Sequence, residues 1–175
     1  MGAKIRMQDI HKPMLFNGGI DFGLPYLEKG LEAFALDQDP PYQRGHVWTD
    51  EQRIAFMGHK LTGGPVQPLI WNEVGETALD SHFEILDGKQ RLTTIVRWIR
   101  NEIPADIGGG LLIYRRDTDE NFRMQLMVRI QFTRLGPVEV LEYYLRLNSG
   151  GTPHSPEALD KVRKMLAAAR AGGGA

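Results

Sequence analysis

Two cations and an amide, Lys89, Gln90 and Arg91, stand directly after the dipeptide Asp87-Gly88. The apolar residues Phe83, Ile85 and Leu86 stop abruptly at that dipeptide, which is a strong turn signal. Beyond it Leu92, Ile95, Val96 and Ile99 recur at helical spacing. The pattern predicts a strand, a tight turn and the start of a helix, with Lys89, Gln90 and Arg91 in the first turn. Backbone amides lack partners there, and the helix dipole is positive. Such a place suits an anion, most naturally a phosphate. The same spacing also suits a plain turn flanked by solvated charges. It is not a Walker loop: Gln90 follows Lys89 where Ser or Thr is required, and Phe83 stands where the first glycine would be.

Two further segments carry chemistry-bearing residues. Pro41-Tyr42-Gln43-Arg44 is followed by Val47-Trp48-Thr49. Arg44 can fork onto a phosphate or a carboxylate, and Tyr42 or Trp48 can stack on a base. The alternative is local packing, with Trp48 against Gln52 or Ile54 and Arg44 paired with Asp50 or Glu51. In Arg146-Leu147-Asn148-Ser149-Gly150-Gly151-Thr152, successive small residues can form a backbone nest for an anion, or simply stop a helix. Lys161, Arg163, Lys164 and Arg170 read as a solvated basic face that could also touch nucleic-acid phosphates. His11, His46, His59, His82 and His154 show no metal spacing, so no metal ligands are assigned. There is no G-x-S-x-G elbow either.

The elements that must position these residues belong to one domain. The chain has 175 residues, enough to bury a core, with the 42% apolar and 25% charged content of an ordinary globular protein. A formal net charge of -1 argues against a globally basic nucleic-acid binder but leaves room for a local patch. The absence of cysteine excludes disulfides and thiolate chemistry and fits a reducing cytosol. No apolar run approaches the roughly 18 residues of a membrane span, and the first residues lack the apolar core of a signal peptide. The expectation is a cytoplasmic protein without a membrane partner.

Along the chain, residues 1–23 read as an N-terminal arm or a short pairing strand. Residues 24–36 fit a helix or a strand equally, and Asp39-Pro40-Pro41 ends the segment. Thr49–Leu61 is a helix, with Thr49 and Gln52 as a capping box and Ile54, Met57 and Leu61 as its buried stripe. Strands are predicted at 68–74, 83–86, 111–114 and 127–132. A helix runs from Gln90 to about Asn101. Another covers Pro137–Leu147, with Val138, Leu141, Tyr144 and Leu145 inward. Residues 117–121 read as a polar connection. Ser155-Pro156-Glu157 opens a last helix, and residues 171–175 form a tail. Interleaved helices and strands give an α+β domain over residues 24–170, with a mixed sheet, flanking helices and a helical C-terminal part.

Taken in order, the segments 41–49, 86–94 and 146–153 resemble domain-of-unknown-function family 262, whose members form the NTPase-like N-terminal domain of modification-dependent restriction enzymes and related phage-defence proteins. The resemblance covers roughly residues 20–168. The family usually has Asp-Gly-Gln-Gln-Arg in the middle motif, and Lys89 replaces the first glutamine. The resemblance implies a fold similar to the ParB N-terminal domain and sulfiredoxin. It further implies a nucleotide site at Tyr42, Gln43, Arg44, Gly88, Lys89, Gln90, Asn148, Gly150 and Gly151, with Asp87 and Arg91 as catalytic residues. ATP, GTP or CTP with Mg2+ is the implied ligand. The family's full-length enzymes carry an HNH-type nuclease domain for which this chain has no room. The expectation is a stand-alone, perhaps phage-encoded nucleotide-binding domain and weak NTPase acting in DNA processing or restriction, or one subunit beside a separate nuclease, able to form a homodimer. The alternatives are a DNA-binding adaptor using Arg97, Arg100, Arg115, Arg116 and the last helix, and a ParB-like nuclease.

Overall fold

Alternation of apolar side chains places two cores on opposite faces of one sheet. In strand β3 (Leu69–Val74), Leu69 and Trp71 point to one face and Ile70 and Asn72 to the other. In strand β4 (His82–Asp87), Ile85 joins the first core and Leu86 the second. The computed structural model describes residues 16–45, 47–75, 82–148 and 156–172.

The sheet has five strands in the order β1-β7-β3-β4-β2, where β1 is Phe16–Gly23, β2 is Leu36–Asp37 and β7 is Met127–Thr133. β1 with β7 and β3 with β4 are antiparallel, whereas β7 with β3 and β4 with β2 are parallel. The sheet is therefore mixed, as the sequence predicts. Residues 16–23, expected as part of an arm, pair as its edge strand.

One face carries helices α1 (Leu27–Ala33), α2 (Asp50–Leu61) and α3 (Lys89–Ile99). Trp71, Ile85, Leu92, Ile95 and Trp98 are buried between these helices and the sheet. Phe34, Phe83, Phe132 and Trp71 form an aromatic cluster with ring centroids 5.1–6.3 Å apart. Each such pair adds about 0.5–1.5 kcal/mol beyond its buried area. The other face carries α5 (Pro137–Leu147) and α6 (Pro156–Gly172), whose Val140, Leu141, Tyr144 and Val162 close the second core over Tyr42, Ile70 and Leu86.

Thr49 caps α2 as expected. Its hydroxyl accepts from Gln52 N at 3.3 Å while Gln52 Oε1 accepts from Thr49 N at 2.9 Å. A two-stranded hairpin of β5 (Ala105–Asp106) and β6 (Leu112–Ile113) packs on α2 at Gly58. A Cβ there would lie 1.6 Å from Asp106 O, so only glycine permits the approach.

Some expectations are corrected. Residues 24–36 are neither one helix nor one strand: a 3-10 turn (Leu24–Tyr26) leads into α1, and Ala35 at φ 45° turns the chain into β2. The connection expected at 117–121 contains a 3-10 turn (Arg115–Asp117) and the start of a short helix α4 (Glu120–Gln125), capped by Asp119. On α5, Val140 is buried where Val138 was expected, because the helix rolls its 140–141–144 face onto Leu86 and Tyr42. α6 continues to Gly172. The capping residue Ser155, the arm before residue 16 and the end of the tail lie outside the described residues.

Candidate functional site

β4 ends at Asp87, Gly88 turns, and α3 begins at Lys89. Gly88 has φ 95°, a left-handed conformation that suits glycine. A Cβ there would also meet Leu69 Cδ2 at 2.4 Å and Arg91 Nη2 at 3.2 Å. As N-cap residue, Gly88 supplies no side chain to the first-turn amides, and no acid lies in that turn. The first intrahelical bond runs from Leu92 N to Gly88 O at 2.8 Å. The amides of residues 89–91 precede that bond and point at the positive end of the helix.

Over this helix start lies a cavity of about 300 Å³. All three sequence motifs reach it: Gln43, Arg44 and Trp48 from the first, Leu86 to Arg91 from the second, Leu147 and Asn148 from the third. Gln67 and Tyr144 complete the wall. Arg44, Lys89 and Arg91 give the lining a positive balance against one carboxylate, Asp87.

The side chains of the middle motif divide their work. Arg91 is only 13% exposed and is held by Asp87 Oδ2 at 2.8 Å, by Pro68 O at 3.2 Å and by Gln67 O. These bonds use three of the five guanidinium donors, leaving the Nε–H and one Nη2–H for the cavity. Lys89 turns the other way. Its ammonium, on a residue only 8% exposed, pairs with Asp39 and donates to Arg44 O at 3.0 Å. Gln90 Oε1 accepts from Val47 N and Trp48 N, and its Nε2 donates to Gly45 O at 3.2 Å. Gln43 Nε2 donates to Ile85 O and Leu86 O, both at 3.0 Å. Lys89, Gln90 and Gln43 therefore fasten the 39–48 segment onto the strand-turn-helix and build the cavity wall. Arg91 retains donors beside the first-turn amides of α3, and Arg44, Trp48 and Asp87 also line the cavity.

The aromatic residues divide as well. Trp48 lines the cavity and packs on Phe56, with ring centroids 5.3 Å apart. Asp50, offered as a partner for Arg44, pairs with Arg53 and Arg97, which hold its carboxyl below the usual range. Tyr42 does not line this cavity. It is buried in the second core, edge-on to Tyr144 at 5.3 Å, and borders a different cavity. Burial pushes the Tyr144 phenol up, against a hydrogen bond from the Arg44 backbone and the Arg44 charge. Asn148 reaches the wall while donating to Tyr144 O at 2.7 Å. Gly150 and Gly151 lie outside the described residues.

The residues that sequence reasoning missed are Gln67, Tyr144 and Asp39. Tyr144 reads as an inward helix residue, and nothing in the sequence marks Gln67. No group of three His, Asp or Glu suited to a metal occurs among the described residues. No helix among them is long and apolar enough to cross a membrane. Of the arginines considered for DNA, Arg97 pairs with Asp50 and Glu102, Arg100 with Glu28, and Arg116 lies over the Tyr114 ring. On the last helix, Arg163 pairs with Asp160 and Arg170 with Glu142.

The family model described as the GmrSD restriction endonuclease, N-terminal domain, matches residues 27–134, which include the first two motifs. No curated protein matches the chain significantly. Among solved structures, the C-terminally truncated chromosome-partitioning protein ParB from Caulobacter crescentus, complexed with CTP-gamma-S, aligns at 14% identity and a TM-score of 0.42. The alignment covers 79% of this chain and 56% of that one.

Proposed function

Because this chain belongs to the GmrSD restriction endonuclease N-terminal domain family, we propose that it is a nucleotide-binding domain working in DNA restriction, with the cavity over α3 as its nucleotide site. One observation carries the reading: three separated motifs converge on one positively lined cavity at an uncapped helix N-terminus. Amides of residues 89–91 and the remaining Arg91 donors receive a phosphate, with Arg44 at the rim. Trp48 offers its face to a base. Among the described residues Asp87 is the one carboxylate in the lining, and it would be the group to hold a Mg2+ arriving with the nucleotide. Bound there, the ion would neutralise phosphate charge.

Hydrolysis, where it occurs, is slow. Arg91 can follow developing charge on a phosphoryl group, but it is tethered to two carbonyls and Asp87 and cannot move far without breaking those bonds. The partner that cuts DNA is a separate nuclease domain or subunit.

Calorimetric titration with ATP, GTP and CTP, with and without Mg2+, tests the site. Arg44→Ala and Arg91→Ala should each weaken binding about 10- to 100-fold, the loss of a hydrogen bond to a charged group. Arg44→Ala keeps the backbone carbonyl that holds Lys89, and circular dichroism and urea unfolding establish that the variant is folded before it is titrated. Equal binding by the folded Arg44→Ala and Arg91→Ala proteins would place the nucleotide elsewhere.

A further inference from the structure

Another cavity, of about 270 Å³, opens where α2 ends, beside the first residues of β3 and β7. Its apolar wall is made by Leu69, Ile95, Leu126 and Val128. Leu69, Ile95 and Val128 are buried members of the first core and Leu126 packs against it, so the cavity is a recess in that core. It shares only Gln67 with the nucleotide cavity. Among the described residues, no Asp or Glu lines it.

Lys60 brings a charge into this recess. It stands in the last turn of α2, three residues after Met57, which is buried in the first core, so the helix turns both to the same side. Lys60 is only 9% exposed. Its ammonium donates to Met127 O at 2.7 Å, and Met127 lines the same cavity. That bond uses one of three ammonium donors. The ion pairs among the described residues do not include Lys60. Burial holds its pKa below the ordinary 10.5. The negative end of the α2 dipole compensates part of the charge, but no carboxylate does.

Arg129 is not a second cation for this site. Val128 faces the first core, so by strand alternation the Arg129 side chain points to the other face. There it pairs with Asp21, its register partner on β1, at 3.1 Å.

We propose that this cavity binds a short aliphatic carboxylate, with its oxygens on the Lys60 ammonium and its chain along Leu69, Ile95, Leu126 and Val128. One negative charge answers one positive charge, and the carboxylate accepts the donors that Met127 O leaves over. A phosphate dianion would bring a second charge that meets no further cation here. The methylenes leave water for the apolar wall. The volume lies just below that of drug-sized sites and suits a short chain. A free acid and the C-terminus of a peptide both offer this chemistry.

The test is a titration of the full chain with sodium pentanoate at constant ionic strength, followed by methyl NMR of Leu69, Ile95, Leu126 and Val128. Saturable shifts at these methyls are expected, with pentanamide, the neutral isostere, binding about 10- to 100-fold more weakly. Lys60→Met keeps an unbranched apolar stem and should lose pentanoate affinity by the same factor while binding pentanamide as before. Urea unfolding establishes that the variant is folded; the comparison of pentanoate with pentanamide on the parent protein decides the matter without it. Inorganic phosphate should displace pentanoate no better than chloride does. Nα-acetyl-norleucine forms a second arm: binding equal to pentanoate assigns the carboxylate to a peptide C-terminus, and weaker binding assigns it to a free acid. Absence of saturable shifts, equal binding of pentanamide, binding of phosphate as tight as pentanoate, or unchanged pentanoate affinity in the folded Lys60→Met protein would overturn the proposal.

Discussion

Replacing Gly88 by alanine strikes the turn on which the whole site is built. At φ 95° the backbone lies where an L residue is strained, at a cost of about 1–2 kcal/mol. The added methyl would lie 2.4 Å from Leu69 Cδ2. Leu69 is 1% exposed and packed in the first core, so it has little room to move. Overpacking of this kind costs about 1–3 kcal/mol. Lower entropy of the unfolded alanine chain offsets about 0.4–1 kcal/mol. The net loss is about 1–5 kcal/mol, which in a chain of this length lowers the Tm by roughly 2–20 °C. Urea unfolding of both proteins reads the difference directly. The methyl also lies 3.2 Å from Arg91 Nη2, so the guanidinium must shift, and anion binding should weaken more than stability alone accounts for. A Gly88→Ala protein within about 0.5 kcal/mol of the parent would refute the reasoning, because neither the strain nor the clash would then be real.

Gln90→Ala removes three hydrogen bonds to the 45–48 backbone, at an expected cost of about 1–2 kcal/mol; amide exchange should quicken at Val47 and Trp48 but not at Ile95. Lys89→Gln, which restores the residue usual in family 262, loses the pair with Asp39. Asp39 is 81% exposed, so the loss is only about 1 kcal/mol, read as faster trypsin cleavage after Arg44. Burial raises the Glu84 carboxyl above its ordinary 4.5. The folded state then holds a proton that the unfolded chain releases, and stability falls as pH rises from about 4.5 through the folded value. Urea titrations at several pH values should show Glu84→Gln lacking this decline, and a parallel pH dependence in both proteins would count against it.

What could be read from the sequence was what local spacing controls. Thr49 and Gln52 form the expected box because both partners lie within one turn. The run from Phe83 to Ile99 folds as strand, turn and helix because its period changes at a glycine that tolerates positive φ. The elements missed are short: the hairpin strand at 105–106 has two residues and α4 has six, too few to show a period, whereas its partner at 112–113 falls inside the strand expected at 111–114. The site was legible as three motifs, but the direction of each side chain was not. Lys89 turns inward because Asp39 and Arg44 O, about 50 and 45 residues away, supply its partners. Tyr42 leaves the site because Val140, Leu141 and Tyr144 provide a better-packed place for its ring. No local pattern encodes either choice.

The nucleotide site is tested most directly by amide NMR of the protein titrated with a nucleoside triphosphate and Mg2+. The account predicts the largest shifts at the first-turn amides of Lys89, Gln90 and Arg91, with the Trp48 indole moving in step. Shifts confined to α6, or none at the start of α3 at saturating nucleotide, would contradict it.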